Sequence, residues 1–274
     1  AAERAIREQG SATGVAWQHD TIHFFLCYSL FYLGQLDELA SLTPTLLRAA
    51  TERGDLYAAT NLRVGIPNAA WLVPDQPGQA AEELDLALAQ WTAHGFHLQH
   101  YHHLLGLGQL DLYTGEAARG HAALVERWPA LEGSLILRVE LVRHEAFLLR
   151  ARLALLEAQQ EPSRRDVRLR EARRLIKPVL GGGPGLAGMA ELAAAGLAAS
   201  LGDQDGAVAR LRRAVATLDR DDMLTYAAIA RMRLGALLGG DEGATLRAEG
   251  AAHLAAQKVV APDRFATMIA PGFG

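Results

Sequence analysis

The sequence predicts an all-α fold, an irregular α-solenoid of about six helix–turn–helix pairs. Ala, Leu, Arg and Glu are abundant, and apolar residues recur at spacings of three and four, the period of an amphipathic helix. β-branched residues are sparse, and no long stretch alternates with the period of two that strands show. Glycines recur at long intervals, where each can end one helix and begin a turn.

The predicted helices follow one another between these breaks. They cover residues 17–33, 36–53, 55–72, 79–93, 96–113, 116–128, 135–160, 163–176, 186–201, 204–219, 222–238, 242–257 and 262–269. Pro67 lacks an amide donor and predicts a kink or split in the third helix, and Pro129 predicts the end of the sixth. Asp203, Asp222 and Asp241 are predicted N-caps, because Asp oxygens accept from free amides at a helix start.

Glycines are predicted to close the first helix of each pair. They are Gly34, Gly78, Gly115, Gly202 and Gly240. With one more turn near residue 160, the repeat averages about 41 residues, longer than the ~34 of a regular tetratricopeptide repeat. The local pattern is still tetratricopeptide-like, because Leu107 and Gly108 precede the turn at Gly115. We expect one solenoid over residues 1–274, with a subdivision at the Gly-rich loop 181–185 as the alternative.

Composition narrows the classes of function. The formal net charge is −4, so no overall basic field favours nucleic acid or an anionic membrane surface. Cys27 is the single cysteine, which excludes an internal disulfide, and no apolar run reaches the ~18 residues that span a bilayer. We therefore expect a cytoplasmic protein. Residues 1–9 look like the end of a helix, which predicts a fragment of a longer polypeptide.

Several segments resemble one region of a known family. They are ATGVAWQHDT, SLFYLGQLDEL, ERGDLYAATNLR, GFHLQHYHHLL, LRVELVRHEAFLLRAR, LGALLGGDEG and the closing MIAPGFG. These are similar to the C-terminal tetratricopeptide-like repeat region of large bacterial serine/threonine protein kinases of the eukaryotic type. In that family a kinase domain and an ATPase-like module come first. The resemblance covers nearly all of the chain and implies a regulatory region for signal transduction.

The resemblance also implies that the catalytic domain lies upstream of this chain. The sequence contains no G-x-G-x-x-G-x-V, H-R-D or D-F-G motif, so the kinase's catalytic residues map onto no position here. We therefore expect no enzymatic activity from this chain itself.

The concave face is the predicted binding site. In tetratricopeptide-like pairs the first helix lines this face, and alignment on the turn glycines places aromatic and polar groups there. The predicted groove residues are Tyr28, Tyr32, Asn61, Arg63, His102, Gln109 and Tyr113. Aromatic rings with polar tips suit a peptide or a protein partner, including the upstream domains of the same polypeptide. The alternative is that Phe24 and Phe31, on the same face, are ordinary packing between the pairs.

A histidine cluster is the main competing site. Five of the ten histidines lie between His94 and His103, and His97, His100 and His103 are spaced so that neighbours share a helix face. Zinc needs three or four convergent ligands, and no H-E-x-x-H motif or nearby carboxylate completes such a set. We expect no metal and no cofactor, and we expect these imidazoles to be half-buried or exposed. A metal-dependent enzyme that uses this cluster is the least favoured hypothesis.

Two further patterns have structural explanations. Residues 164–174 hold six arginines, which could contact nucleic acid but more simply form a solvated helix face with salt bridges. The GGGPG run at 181–185 lacks the strand before it and the G-K-[ST] after it that a phosphate-binding loop requires, so it predicts a linker. The second functional hypothesis is a small-ligand-sensing helical domain of an ATPase-type transcriptional regulator.

Overall fold

The computed structural model describes residues 14–273, and this part of the chain contains α-helices and 3₁₀ turns but no strand. The all-α prediction is confirmed. The helices are α1 (Gly14–Leu33), α2 (Leu36–Glu52), α3 (Leu56–Arg63), α4 (Pro77–Gln90), α5 (Leu98–Thr114), α6 (Ala117–Gly133), α7 (Glu140–Gln160), α8 (Arg165–Ile176), α9 (Leu186–Ser200), α10 (Gln204–Arg220), α11 (Leu224–Leu238), α12 (Gly240–Ala256) and α13 (Pro262–Ile269). The helix end predicted over residues 1–9 lies outside the described residues.

Each helix from α1 to α12 packs against the next one in the chain, and the odd-numbered helices from α1 to α9 also contact one another in series. Helix α11 contacts α1, and the last helix, α13, packs against α5, α11 and α12. The contact between α11 and α1 closes the array of the described helices. We call α1, α3, α5, α7, α9 and α11 the inner helices.

Most of the predicted turn glycines have the expected backbone. Left-handed conformations occur at Gly34, Gly115 and Gly202. The prediction for Gly240 is wrong by one residue, because Gly239 ends α11 and Gly240 begins α12. The prediction for Gly78 is wrong, because this residue lies inside α4. Asp75 takes the left-handed position instead, with φ of 56°. Pro77 then begins the helix, where its missing amide and fixed φ are favourable.

The two prolines behave differently. Pro67 splits the predicted third helix as expected: α3 ends at Arg63 and a 3₁₀ turn, Pro67–Trp71, follows. The prediction for Pro129 is wrong, because α6 continues through it to Gly133. The carbonyl that Pro129 leaves without an amide donor belongs to Val125, on the exposed face of the helix. Water can satisfy that carbonyl, so the helix persists.

One of the three predicted N-caps is confirmed. Asp203 caps α10 and accepts a hydrogen bond from the Gly206 amide at 2.9 Å. Asp222 lies in the preceding turn with a positive φ of 55°, and Met223 is the N-cap of α11. Asp241 lies within the first turn of α12. Both of these aspartates were wrongly predicted as caps, because a neighbouring residue takes the cap position.

The core connects the first, middle and last helices. Its largest fully buried side chains include Phe31 of α1, Tyr101 and Tyr113 of α5, and Phe265 of α13. Helix α9 packs against both α7 and α8, so helices on either side of the loop 181–185 are in contact. Among residues 14–273, no helix combines the length and the apolar character needed to cross a bilayer.

Candidate functional site on the inner face

The end of the chain lies on the inner helices. This C-terminal segment, residues 262–273, consists of α13 and the four residues after it. Phe265, Met268 and Ile269 are at most 3% exposed. The Phe265 ring meets the Tyr113 ring edge to face, with 6.5 Å between their centres. The segment therefore packs as part of the core against α5, α11 and α12.

Two arginines hold the main chain of this segment. Arg152 Nη1 of α7 donates a hydrogen bond to the Met268 carbonyl at 3.1 Å. Arg233 Nε of α11 donates to the Ala270 carbonyl, also at 3.1 Å, and its guanidinium lies 5.5 Å from the centre of the Phe273 ring. These contacts recognise carbonyl groups that any peptide possesses, together with one aromatic ring.

The last residues of the segment are held in the same way by α7 and α9. Ser200 Oγ donates to the Gly272 carbonyl at 3.1 Å, and the Gly272 amide donates to Gln159 Oε1 at 3.1 Å. Gly196 of α9 permits this approach, because a Cβ at that position would collide with the Pro271 carbonyl. The segment and the inner helices are thus fitted to each other at backbone level.

A small chamber lies beside the segment, and we call it the polar chamber after its enclosed polar groups. Its polar lining residues are Tyr32, Gln109, Glu145, Arg152 and Tyr226, and its apolar lining residues are Leu105, Leu148, Met189, Ala193 and Ile269. They come from six different helices, so the chamber exists only because the array closes. The centre of a water molecule can occupy about 20 Å³ of it. This volume is enough for one or two waters.

A partly buried carboxylate is central to the chamber. Glu145 accepts hydrogen bonds from the hydroxyls of Tyr101 at 2.6 Å and of Tyr32 at 2.8 Å. Burial raises the pKa of Glu145 above its ordinary value, although both hydrogen bonds and the charge of Arg152 act in the opposite direction. Burial also raises the pKa of Tyr32 and Tyr101, so both hydroxyls remain proton donors. Tyr32 and Tyr101 therefore remain hydrogen-bond donors to the Glu145 carboxylate.

Two residues that line the chamber each carry a polar atom without a protein partner. Gln109 Oε1 and Arg152 Nε are buried and make no hydrogen bond to another group of the protein. The exposed fractions of these two residues are only 3% and 8%. A buried polar group without a partner costs about 1–3 kcal/mol, so this site favours a polar occupant that satisfies both atoms.

Five of the seven predicted groove residues belong to this region. Tyr32 and Gln109 line the chamber. Tyr28 and His102 pack against each other with 6.1 Å between ring centres, and burial lowers the pKa of His102 to about 4. Tyr113 is buried against the C-terminal segment. His102, Gln109 and Tyr113 are buried between the helices, and Tyr28 and Tyr32 are partly buried there.

The other two predicted groove residues lie in a separate polar cluster. Arg63 Nε donates to Glu83 at 2.8 Å, and both side chains are about nine-tenths buried. Asn61 Oδ1 accepts from Gln99 Nε2 at 3.2 Å. Their hydrogen bonds join α3 to α4 and α5, so Asn61 and Arg63 do not reach the polar chamber.

The histidine cluster shapes the start of α5. His97 is the N-cap of this helix, and its amide donates to His100 Nδ1 at 2.9 Å. His100 Nε2 lies 3.1 Å from the Thr92 carbonyl, and Trp91 Nε1 donates to His97 Nδ1 at 3.3 Å. Within residues 14–273 no set of three or more His, Cys, Asp or Glu side chains is arranged to hold a metal ion.

The basic helix takes part in an ion-pair network that its sequence did not reveal. Arg168 Nε of α8 donates at 2.7 Å to Glu157 of α7, whose side chain is fully buried. Glu171 of α8 accepts from Arg150 at 2.7 Å and lies 3.1 Å from His121 Nε2 of α6. Burial raises the pKa of Glu171, but His121 and Arg150 outweigh burial and hold it at about 2. The network joins three consecutive helices.

Comparisons give no family assignment. No protein-family model matches the chain, and neither the curated proteins nor the solved structures searched contain a match.

Proposed function

We propose that this chain is a non-catalytic regulatory repeat region that docks a peptide or a partner protein on its inner, concave face. In this proposal the fold is an irregular solenoid of six tetratricopeptide-like pairs. The parent protein is a cytoplasmic bacterial serine/threonine kinase with its catalytic domain upstream. The supporting observation is that Arg152, Arg233 and Ser200 donate hydrogen bonds to main-chain carbonyls of the C-terminal segment. Contacts to carbonyls tolerate other sequences, so the same face suits other peptides.

The C-terminal segment is the occupant of the site in the closed state. A partner peptide must displace it, so the apparent affinity falls with the fraction of molecules in which the segment has left. Docking then signals by population shift: an upstream domain responds if it interacts differently with the closed and the open arrays. The tether gives the resident segment a high effective concentration, which keeps the unliganded array closed.

A labelled peptide tests this proposal. A fluorescent peptide of residues 262–274 is titrated into the full chain and into its Phe265→Ala variant. Because the truncated side chain weakens the resident segment, the variant should bind the peptide at least about tenfold more tightly than the wild-type chain. Val260→Ala is the control, since Val260 precedes the segment and is 63% exposed. Absence of binding by a Phe265→Ala chain that is still helical contradicts peptide docking.

The polar chamber favours a second candidate, a small-ligand-sensing helical domain of an ATPase-type transcriptional regulator. The specific observation is the unpaired pair of Gln109 Oε1 and Arg152 Nε beside Glu145. The reading frame upstream distinguishes the two parents. A kinase domain there supports the first proposal, whereas a nucleotide-binding domain with a DNA-binding helix–turn–helix motif and no kinase domain supports the second.

A further inference from the structure

The resident segment matches the inner face incompletely. Ile269 lines the polar chamber with an apolar side chain, and so do Gln109 and Arg152, whose Oε1 and Nε atoms have no protein partner. The main chain of the same segment is matched well, because Arg152 Nη1 reaches the carbonyl of Met268. One guanidinium therefore binds the carbonyl of position 268 through Nη1 and leaves Nε without a protein partner, in a residue that lines the same chamber as the side chain of position 269.

The two unpaired atoms together require a group that both donates and accepts a hydrogen bond. Gln109 Oε1 requires a donor, and Arg152 Nε–H requires an acceptor. A carboxamide supplies both from one planar group. A carboxylate has no N–H to donate and would add a negative charge beside Glu145, and a cationic side chain would face Arg152. The free volume of about 20 Å³ beside Ile269 leaves room for an amide end.

We propose that the inner face prefers a peptide that carries glutamine or asparagine at the position now held by Ile269. The amide donates to Gln109 Oε1 and accepts from Arg152 Nε. The C-terminal segment is then a weaker occupant in cis, which a better-matched partner replaces. The identity of the partner rests on the proposed docking function, whereas the pairing of the amide is a property of this chain alone.

Substitutions within the full chain test the pairing without any partner. Ile269→Gln is compared with Met268→Gln, because both positions are buried in α13 and only position 269 lines the chamber. Met268→Gln buries an unmatched amide and should lower the Tm by roughly 5–15 °C. Ile269→Gln should keep the Tm within about 3 °C of the wild type. Equal losses in the two variants overturn the proposal.

A second substitution identifies the partner of the amide. Gln109→Leu removes an unpaired acceptor from the wild-type chain and should leave its Tm unchanged or raised. In the Ile269→Gln background the same change removes a hydrogen bond and should lower the Tm by at least about 3 °C. The same effect of Gln109→Leu in both backgrounds overturns the pairing.

Peptides in trans separate this inference from the docking proposal. Two labelled peptides of residues 262–274, one native and one with Gln at position 269, are titrated into the wild-type chain. We expect the Gln peptide to bind at least about tenfold more tightly, the effect of one well-matched polar pair. Equal affinities show docking without amide preference and overturn the inference. If neither peptide binds while Ile269→Gln keeps its Tm, docking fails and the pairing stands.

Discussion

Phe265 is the anchor of the C-terminal segment, and its truncation tests how strongly the segment closes the array. Its side chain is 0% exposed and lies edge to face on Tyr113. Replacing a fully buried Phe by Ala costs about 3–5 kcal/mol, which includes the lost aromatic pair. For a chain of this size, that loss lowers the Tm by roughly 6–20 °C. We expect Phe265→Ala to lie within this range.

Urea unfolding followed by circular dichroism measures the change. Trypsin gives a second readout, because Lys258 and Arg264 flank the start of the segment and should be cleaved faster once it is released. The matched control is Val260→Ala, whose exposed side chain should change stability by no more than about 0.5 kcal/mol. A loss below about 1 kcal/mol in Phe265→Ala, with unchanged cleavage, would refute the reasoning that this side chain holds the array closed.

Three further predictions concern the same interior. Gly196→Ala should lower the free energy of unfolding, measured by thermal melting, by about 1–3 kcal/mol, because the new Cβ collides with the Pro271 carbonyl. Gly133→Ala is the control and should be nearly neutral, because the space around its Cβ is open. Glu171 has a folded pKa of about 2, below its ordinary 4.5, so its ionised form stabilises the fold above pH 4.5 and this stabilisation is lost as the pH falls towards 2. Between pH 4.5 and 2, the free energy of unfolding of Glu171→Gln, measured in urea, should depend less on pH than that of the wild type. His102 has a folded pKa of about 4, below its ordinary 6.5, so on acidification the unfolded chain takes up a proton before the folded chain does. The free energy of unfolding should therefore fall between pH 6.5 and 4, and His102→Gln should remove this fall.

Local features of the fold could be predicted from the sequence because their causes are local. Gly34 and Gly115 mark turns, since only glycine adopts their left-handed backbone at little cost. Pro67 splits the predicted helix because it has no amide to donate to the preceding turn. Pro129 shows the limit of the same rule. The effect of Pro129 depends on whether the carbonyl that it leaves unpaired is exposed to water. The sequence around the proline does not predict the exposure of that carbonyl.

The closure of the array could not be predicted in this way. Phe265 and Tyr113 are far apart in sequence, and no periodic pattern links two such residues. Tyr32 and Gln109, which the sequence predicted on one face, both line the chamber, but no sequence pattern indicated that Ile269 near the end of the chain would line it with them. A local signal for the chamber did exist. Glu145 and Arg152 are spaced by two helical turns in α7, and each is largely enclosed.

Hydrogen exchange of the C-terminal segment tests the central claim, that the inner face holds an exchangeable peptide. Amides of residues 262–273 are followed by mass spectrometry in the full chain, with and without an excess of the 262–274 peptide. We predict that the segment exchanges faster than α5, since it opens without global unfolding, and that the added peptide increases its exchange further. Exchange of the segment at the rate of α5, with no response to the peptide, would contradict the claim and make the segment a fixed part of the core.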